Sequence, residues 1–248
     1  REFNALVHPG RNGYLWTLER HADRIGFVDA EPYVYQNAFS GIDPETGRPS
    51  YDPNHTPATG ESVDFCPSLW GGKDWPPAAY NPGTGLVYIP VNENHCGVIE
   101  GREVTYMPGS SYTGARTEFT LRDPEGNIGE IQAWDMNSGE EVWSVEFQSH
   151  NWGGILTTGG NLIFSGGTSD RFFRAHDATT GEEVWRFRTN SGIIGVPSTY
   201  SVNGKQYVAV QSGWGVDAAG MTARIDQQRG TRTFVPQGGV VWVFALPE

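Results

Sequence analysis

An eleven-residue segment that occurs twice constrains the fold of this chain more than any other feature. Residues 133–143 read AWDMNSGEEVW, and residues 175–185, which begin 42 positions later, read AHDATTGEEVW. A weaker copy occupies residues 79–88, and residues 42–47 preserve the turn alone. The chain therefore contains about four copies of one structural unit. Repeats of roughly 40–50 residues with about four short strands each are typical of β-propeller blades.

Each strong copy of the repeat predicts a β-hairpin. A strand ends at Asp135 or Asp177, a Ser-Gly or Thr-Gly pair supplies the tight turn, and the returning strand ends in tryptophan. We expect these tryptophans, Trp143 and Trp185, to lie in equivalent positions between adjacent blades. No stretch shows a sustained helical period, so the expected fold class is all-β. A β-sandwich with two chance hairpins is the alternative.

Two segments, residues 97–127 and 216–237, fit none of the repeats. Both are rich in Gly, Ser, Thr, Asp and Arg. Long loops on a rigid scaffold often carry function. We therefore interpret both segments as insertions on one rim of a single partial propeller domain that spans residues 1–248.

Charge and composition exclude several classes of protein. The 248 residues include 17 Lys and Arg against 29 Asp and Glu, a formal net charge of −12, and there is no basic run. Binding to nucleic acid requires clustered cations, so it is not expected. No stretch approaches the roughly 18 apolar residues of a spanning helix, so no membrane span is expected either. The aromatic content of 12% argues against disorder.

The titratable residues show few recognisable patterns. Cys66 and Cys96 lie in no CxxC motif and near no histidine at a metal-binding spacing, so zinc is not indicated. The two cysteines could form one disulfide in an oxidising compartment or remain two buried thiols. No nucleophile elbow, P-loop or dinucleotide fingerprint is present, which leaves hydrolase and nucleotide-binding interpretations without support.

Three further segments carry a resemblance to a known family. They are HPGRNGYLW at 8–16, CPSLWGGKDW at 66–75, and WGG at 152–154 followed by TTGGNL at 157–162. Together with the tryptophan repeat, they resemble the quinoprotein alcohol and methanol dehydrogenases, periplasmic enzymes that use pyrroloquinoline quinone (PQQ). The resemblance covers essentially the whole chain. It implies an eight-bladed propeller with tryptophan docking motifs, of which this chain would form the C-terminal half, about four blades.

The resemblance also implies roles for several residues. Arg11 matches the cation that reaches the quinone oxygens, where it would stabilise negative charge as hydride arrives. Asp74 stands where the family usually has Asn, and an ionised Asp can only accept hydrogen bonds. Beside the PQQ carboxylates it would be repelled unless protonated or paired, with Lys73 or Arg11. Direct contact of Asp74 with the cofactor is one interpretation, and pairing is the other.

Two tryptophans complete the set of cofactor-binding residues that the resemblance implies. Trp75 offers a ring face and an N–H donor. Trp152 would lie close to PQQ, with Gly153 and Gly154 allowing backbone to approach a flat ligand. Packing between blades or in the core is the alternative for each. The resemblance further implies that the two cysteines form a disulfide within one blade.

By this resemblance, the metal ligands and the catalytic aspartate should lie in an N-terminal half upstream of this sequence. We therefore expect no catalytic residue and no metal ligand in this chain. The implied reaction is oxidation of a primary or secondary alcohol to an aldehyde or ketone, with PQQ, Ca²⁺ or a lanthanide, and a c-type cytochrome as acceptor. A non-catalytic propeller used as a protein-binding scaffold is the alternative. It need not keep the three segments that are present here.

Overall fold

The computed structural model describes residues 3–110 and 113–246. Residues 111 and 112, part of the segment 97–127, lie outside the described residues. The chain divides into two compact units. Unit 1 comprises residues up to 74 and 93–123, and unit 2 comprises residues 75–92 and those from 124 onward. A single partial domain over residues 1–248 stays a prediction.

The described residues form nineteen β-strands, one α-helix, α1 (Val216–Arg229), and one short 3-10 helix (Pro53–His55). The strands are β1 (Ala5–Pro9), β2 (Tyr14–Arg20), β3 (Ile25–Pro32), β4 (Phe39–Ile42), β5 (Pro49–Tyr51), β6 (Ser62–Phe65), β7 (Ala79–Asn81), β8 (Leu86–Asn92), β9 (His95–Gly101), β10 (Ala115–Leu121), β11 (Gly129–Asp135), β12 (Glu140–Phe147), β13 (Ile155–Thr157), β14 (Leu162–Ser165), β15 (Phe172–Asp177), β16 (Glu183–Arg188), β17 (Ser198–Val202), β18 (Lys205–Ser212) and β19 (Val240–Phe244). The prediction of a strand-dominated chain is confirmed.

Unit 1 contains three antiparallel sheets. Their strand orders are β1-β2-β3, β10-β9-β6 and β4-β5. The turn between β4 and β5 is the one that the sequence placed at 42–47. Its Asp43 Oδ1 accepts from the backbone N–H of Glu45 and of Thr46, at 3.0 and 2.8 Å. Gly47 adopts a φ of +70°, which an L side chain rarely tolerates.

Unit 2 also contains three antiparallel sheets. Their strand orders are β12-β11-β8-β7, β13-β14-β15-β16 and β17-β18-β19. The two repeat copies form the hairpins β11–β12 and β15–β16, as predicted. In each turn a glycine at positive φ, Gly139 or Gly181, donates its N–H to the preceding aspartate carbonyl at 2.9 Å.

The two repeat tryptophans hold the same strand register. Trp143 pairs with Ala133, and Trp185 pairs with Ala175. Trp143 lies over the turn of the next repeat and donates from Nε1 to Ala178 O at 3.3 Å. Trp185 packs edge-on against Phe244 of the following sheet, with ring centroids 5.1 Å apart. Both tryptophans therefore contact the next sheet of unit 2, one over a turn and the other over a strand.

Each sheet of unit 2 buries an apolar face. β8 is buried along its whole length, as expected for a strand in the middle of a sheet. One core cluster joins the first two sheets and a second cluster joins the second and third. Their buried members are Leu86, Tyr88, Ile131, Ala133, Ile155, Ile163 and Ala178 in the first, and Phe173, Ile193, Val208 and Val210 in the second.

The helix α1 was not predicted, and it lies in the segment 216–237. Its buried residues are Ala218, Met221, Thr222 and Ile225, and this is the spacing of one helical face. Two of the four are small or polar, so the face shows little contrast in hydropathy. The other unassigned segment, 97–127, contains most of β9 and all of β10, which pair as a hairpin. A position on the propeller rim stays a prediction for both segments.

Among the described residues, no helix combines the length and the apolar character that crossing a membrane requires.

Candidate functional site

Arg11 lies at the tip of the turn that joins β1 to β2. The turn needs Gly13 at a φ of +93°. The side chain of Asn12 closes the turn, because its Oδ1 accepts from the N–H of Tyr14 at 3.2 Å and from Trp16 Nε1 at 3.4 Å. A local network thus fixes the backbone of Arg11 while its side chain remains 57% exposed.

The segment 68–74 packs directly on this turn. The Arg11 guanidinium pairs with Asp74, with 3.1 Å between Nη2 and Oδ2, and it also donates to Leu69 O. Gly72 N–H donates to Arg11 O at 3.1 Å. A Cβ on Gly71 would lie 2.5 Å from Arg11 O, so only glycine fits there. Two motifs almost sixty residues apart in sequence therefore form one structure.

The carboxylate of Asp74 forms an ion pair with Arg11. Lys73 instead donates from Nζ to the backbone carbonyl of Asp74 at 2.8 Å. Burial lowers the pKa of the Lys73 ammonium, while the nearby Asp74 charge opposes that effect. Of the two pairings that the sequence left open for the Asp74 carboxylate, the structure has the one with Arg11.

Sequence reasoning missed Tyr33 as a support of this turn. Its hydroxyl donates to Gly10 O at 2.7 Å, and burial raises the pKa of Tyr33 well above its usual range. A Cβ on Gly72 would lie 2.8 Å from the same hydroxyl. The contact joins residues far apart in the chain, so no local pattern could have identified Tyr33.

The two candidate tryptophans of unit 2 contact each other. Trp75 and Trp152 pack edge to face, with ring centroids 6.5 Å apart and an interplanar angle of 86°. Trp152 is only 4% exposed, whereas Trp75 is 48% exposed. Trp75 can therefore offer its indole to a ligand, and the buried ring of Trp152 packs against it on the protein side.

The backbone around Trp152 is held by buried amides. Asn151 N–H donates to Asn92 Oδ1 at 2.9 Å, and Asn92 Nδ2 donates back to Asn151 O at 3.0 Å. The Asn151 side chain donates to Glu130 O at 2.8 Å. Trp152 N–H donates to Gly167 O at 2.9 Å. The segment that carries Trp152 is thus bonded to two neighbouring strands and a loop.

The glycines after Trp152 serve internal packing. A Cβ on Gly153 would lie 2.8 Å from Gly167 N, and one on Gly154 would lie 2.8 Å from Pro77 Cδ. Protein atoms occupy the space that these glycines leave. That both glycines also let backbone approach a flat ligand stays a prediction.

Cys66 and Cys96 form a disulfide, with their Cα atoms 4.3 Å apart. The bridge links the end of β6 to β9, next to the paired residues Phe65 and Gly97. The expectation of a disulfide is confirmed, and the alternative of two free thiols is wrong.

No group of three or more His, Cys, Asp and Glu side chains able to hold a metal ion occurs in residues 3–110 and 113–246. The candidate residues fall into two pairs. Arg11 and Asp74 belong to unit 1, and Trp75 and Trp152 belong to unit 2.

Known proteins match the chain along its whole length. A family model described as glucose/ethanol/alcohol dehydrogenase, beta-propeller domain, matches residues 144–208. Quinoprotein alcohol dehydrogenase PedH of Pseudomonas putida is 38% identical over 256 residues, which cover 100% of this chain and 41% of that protein. Lanthanide-dependent methanol dehydrogenase of Methylorubrum extorquens is 36% identical over 265 residues, covering 98% and 43%. The chain belongs to the quinoprotein alcohol dehydrogenase family.

The fold agrees with this family. A solved structure of a europium-containing methanol dehydrogenase superposes with a TM-score of 0.85 at 34% identity. The superposition covers 99% of this chain and 45% of that one. The quinoprotein chain described here thus shares its sheets with PQQ dehydrogenase propellers, and it spans about two fifths of the length of its curated relatives.

Proposed function

We propose that this chain is the C-terminal part of an eight-bladed PQQ-dependent alcohol dehydrogenase. It would contribute about four blades, with Trp143 and Trp185 as docking residues, and part of the PQQ pocket. The observation that carries the proposal is the set of contacts that Gly71, Gly72 and Asp74 make with Arg11. These contacts hold the backbone and guanidinium of Arg11, an exposed cation to which the family resemblance assigns a contact with the cofactor.

The exposed groups fit the chemistry of PQQ, a flat quinone with three carboxylates. An arginine donates five N–H groups and matches carboxylate or carbonyl oxygens well. The Arg11 guanidinium uses part of this capacity on Asp74 and Leu69 O and stays largely exposed. Trp75 presents an indole of which about half is exposed, and such a surface suits a planar aromatic ligand.

The residues of this chain would bind and orient the cofactor. Arg11 would donate hydrogen bonds to quinone oxygens and place a positive charge where negative charge develops. Asp74 would hold the guanidinium in place, and the Arg11 charge would reduce its repulsion of anionic ligand groups. Trp75 would pack against the ring system, with Trp152 behind it. When bound, PQQ would supply the hydride-accepting carbonyl chemistry.

The catalytic base and the metal ligands would come from an N-terminal half, either a separate chain or a missing segment. The named relatives include lanthanide-dependent enzymes, which supports PQQ with a metal ion, Ca²⁺ or a lanthanide. The last sheet of unit 2 supports a missing neighbour. Its exposed side chains include Tyr200, Val241 and Val243, and apolar patches of this kind usually mark an interface.

The remaining expectations complete the proposal. The substrate would be a small primary or secondary alcohol, the product an aldehyde or ketone, and the electron acceptor a c-type cytochrome in the periplasm. The scaffold alternative is not favoured, because the relatives named above are dehydrogenases.

Equilibrium titration with PQQ tests the proposed pocket. The chain would be mixed with its N-terminal half and Ca²⁺, and binding would be followed by quenching of tryptophan fluorescence. We expect R11M to raise the Kd for PQQ about tenfold or more, because a charged hydrogen-bond donor is lost. The control R24M removes an exposed arginine of unit 1 that pairs with its neighbour Asp23 and should leave the Kd unchanged. Equal affinity of R11M and wild type would refute the role of Arg11.

A further inference from the structure

Helix α1 ends on an arginine that reaches across to two loops of unit 2. The buried face of the helix runs through Ala218, Thr222 and Ile225, and Arg229 continues that face by one further turn. Its guanidinium donates to three backbone carbonyls. Nε donates to Pro124 O at 2.7 Å, Nη1 to Gln148 O at 2.7 Å and Nη2 to Gly126 O at 2.5 Å.

The end of α1 is itself fixed, so the guanidinium starts from a defined position. Asp226 accepts from Thr231 Oγ1 at 2.6 Å and from Thr233 N–H at 2.6 Å. Burial opposes ionisation of Asp226, but these hydrogen bonds outweigh it, and the pKa of Asp226 lies below its usual value. Gly230 closes the helix at a φ of +66°.

One of the three carbonyls, Gln148 O, belongs to the segment 148–152, which leads to Trp152 and is called the entry segment below. Gln148 stands four residues before Trp152, and Ser149 O in between accepts from Gly129 N–H at 2.8 Å. A cavity of about 300 Å³ separates α1 from this entry segment, and its walls include Ser149, His150 and Ser169. The helix therefore does not pack tightly on the entry segment, and the guanidinium bridges the gap.

We propose that Arg229 is a positioning residue for Trp152. Resting on the function proposed above, this inference gives α1 a role in the cofactor site. The helix anchors the segment 148–152 through one charged hydrogen bond, from Arg229 to Gln148 O, and the two bonds to Pro124 O and Gly126 O hold the guanidinium in place. Trp152 then holds the exposed ring of Trp75. Loss of the guanidinium would free Gln148 and loosen the support of Trp75 without removing any group that contacts the cofactor.

Three variants of the holoenzyme, this chain with its N-terminal half, test the proposal. R229M removes all three hydrogen bonds, and R229K keeps the charge but reaches fewer carbonyls. R224M changes an exposed arginine on the same helix and serves as the matched control. Two readouts apply to each variant: backbone hydrogen exchange of residues 148–154 without cofactor, and the Kd for PQQ itself.

We expect R229M to speed exchange of residues 148–154 about tenfold or more and to raise the Kd for PQQ by a similar factor. R229K should fall between R229M and wild type, and R224M should match wild type. Unchanged exchange or an unchanged Kd in R229M would overturn the proposal. If R229M does not fold, the same readouts on R229K decide. Failure of the wild type to bind PQQ would instead refute the proposed function, while the exchange data still test the anchoring.

Discussion

At the scale of single residues, the candidate site depends on how tightly backbone can approach Arg11. Gly71 combines a φ of +73° with a Cβ position 2.5 Å from Arg11 O. Gly60, also in unit 1, has a φ of +83° but nothing within 4 Å of its Cβ position. Alanine at Gly60 would therefore measure the free-energy cost of the backbone conformation alone. Alanine at Gly71 would add the cost of the contact with Arg11.

We predict that G60A lowers the free energy of unfolding by about 1 kcal/mol, because alanine disfavours this conformation. G71A should cost at least about 1 kcal/mol more, since its methyl group displaces the Arg11 turn. Urea denaturation of both variants measures the difference. Equal losses would show that Gly71 does not support Arg11 by close contact.

The ion pair of Arg11 with Asp74 should matter for orientation rather than for stability. Because the Arg11 side chain is largely exposed, we predict that D74N lowers the free energy of unfolding by about 1 kcal/mol or less. Urea denaturation measures this loss. A loss well above this value would mean that the pair is a main support of unit 1 and not an orienting contact.

At the scale of elements, the sequence predicted some features well and others poorly. The hairpins around Gly139 and Gly181 follow from turn chemistry within a few residues, so they could be read locally. The helix α1 was missed, because Ala218 and Thr222 on its buried face look like neither core nor surface. The anchors Tyr33 and Asn92 could not be predicted, since each bonds to backbone far away in the chain.

The hairpin β15–β16 contains an arginine that is nearly buried. Arg174 pairs with Asp170 and, at 3.0 Å, with Glu183. Burial would raise the pKa of Asp170, but the hydrogen bond and charge of Arg174 outweigh it and the pKa is lowered. A lowered folded pKa means that this stabilisation is complete above the unfolded value of about 4 and is lost as the pH falls below it.

We predict that D170N lowers the free energy of unfolding by about 1 kcal/mol at pH 7, because it removes one of the carboxylates that Arg174 contacts, while the 43% exposure of Asp170 lets solvent screen the pair. The difference between variant and wild type should shrink as the pH falls from about 5 to 3. Denaturation curves across this range measure it. A difference that does not change with pH would contradict the assigned role of the Asp170 charge.

The disulfide links Cys66, directly after β6, to Cys96 in the neighbouring strand β9, and the two cysteines are 30 positions apart in sequence. We predict that the double variant C66S/C96S lowers the free energy of unfolding by about 3 kcal/mol through loop closure. Reductant should destabilise the wild type in urea denaturation by a similar amount and leave the double variant unaffected. Recovery of free thiols from untreated protein would refute the bond.

At the scale of the whole molecule, the chain matches its curated relatives along nearly all of its own length. The match spans about two fifths of theirs. The described residues provide an oriented cation and a half-exposed indole. They contain no carboxylate cluster able to hold a metal ion. The central claim, proposed above, is that this chain supplies part of a cofactor site and that catalysis requires the N-terminal half.

Reconstituted turnover tests that claim most directly. The chain would be assayed alone and with its N-terminal half, in the presence of PQQ, Ca²⁺ or a lanthanide, ethanol and an electron-accepting dye. We expect dye reduction only when both halves are present, with R11M slower than R24M. Dye reduction by this chain alone, or equal rates for the two variants, would contradict the account.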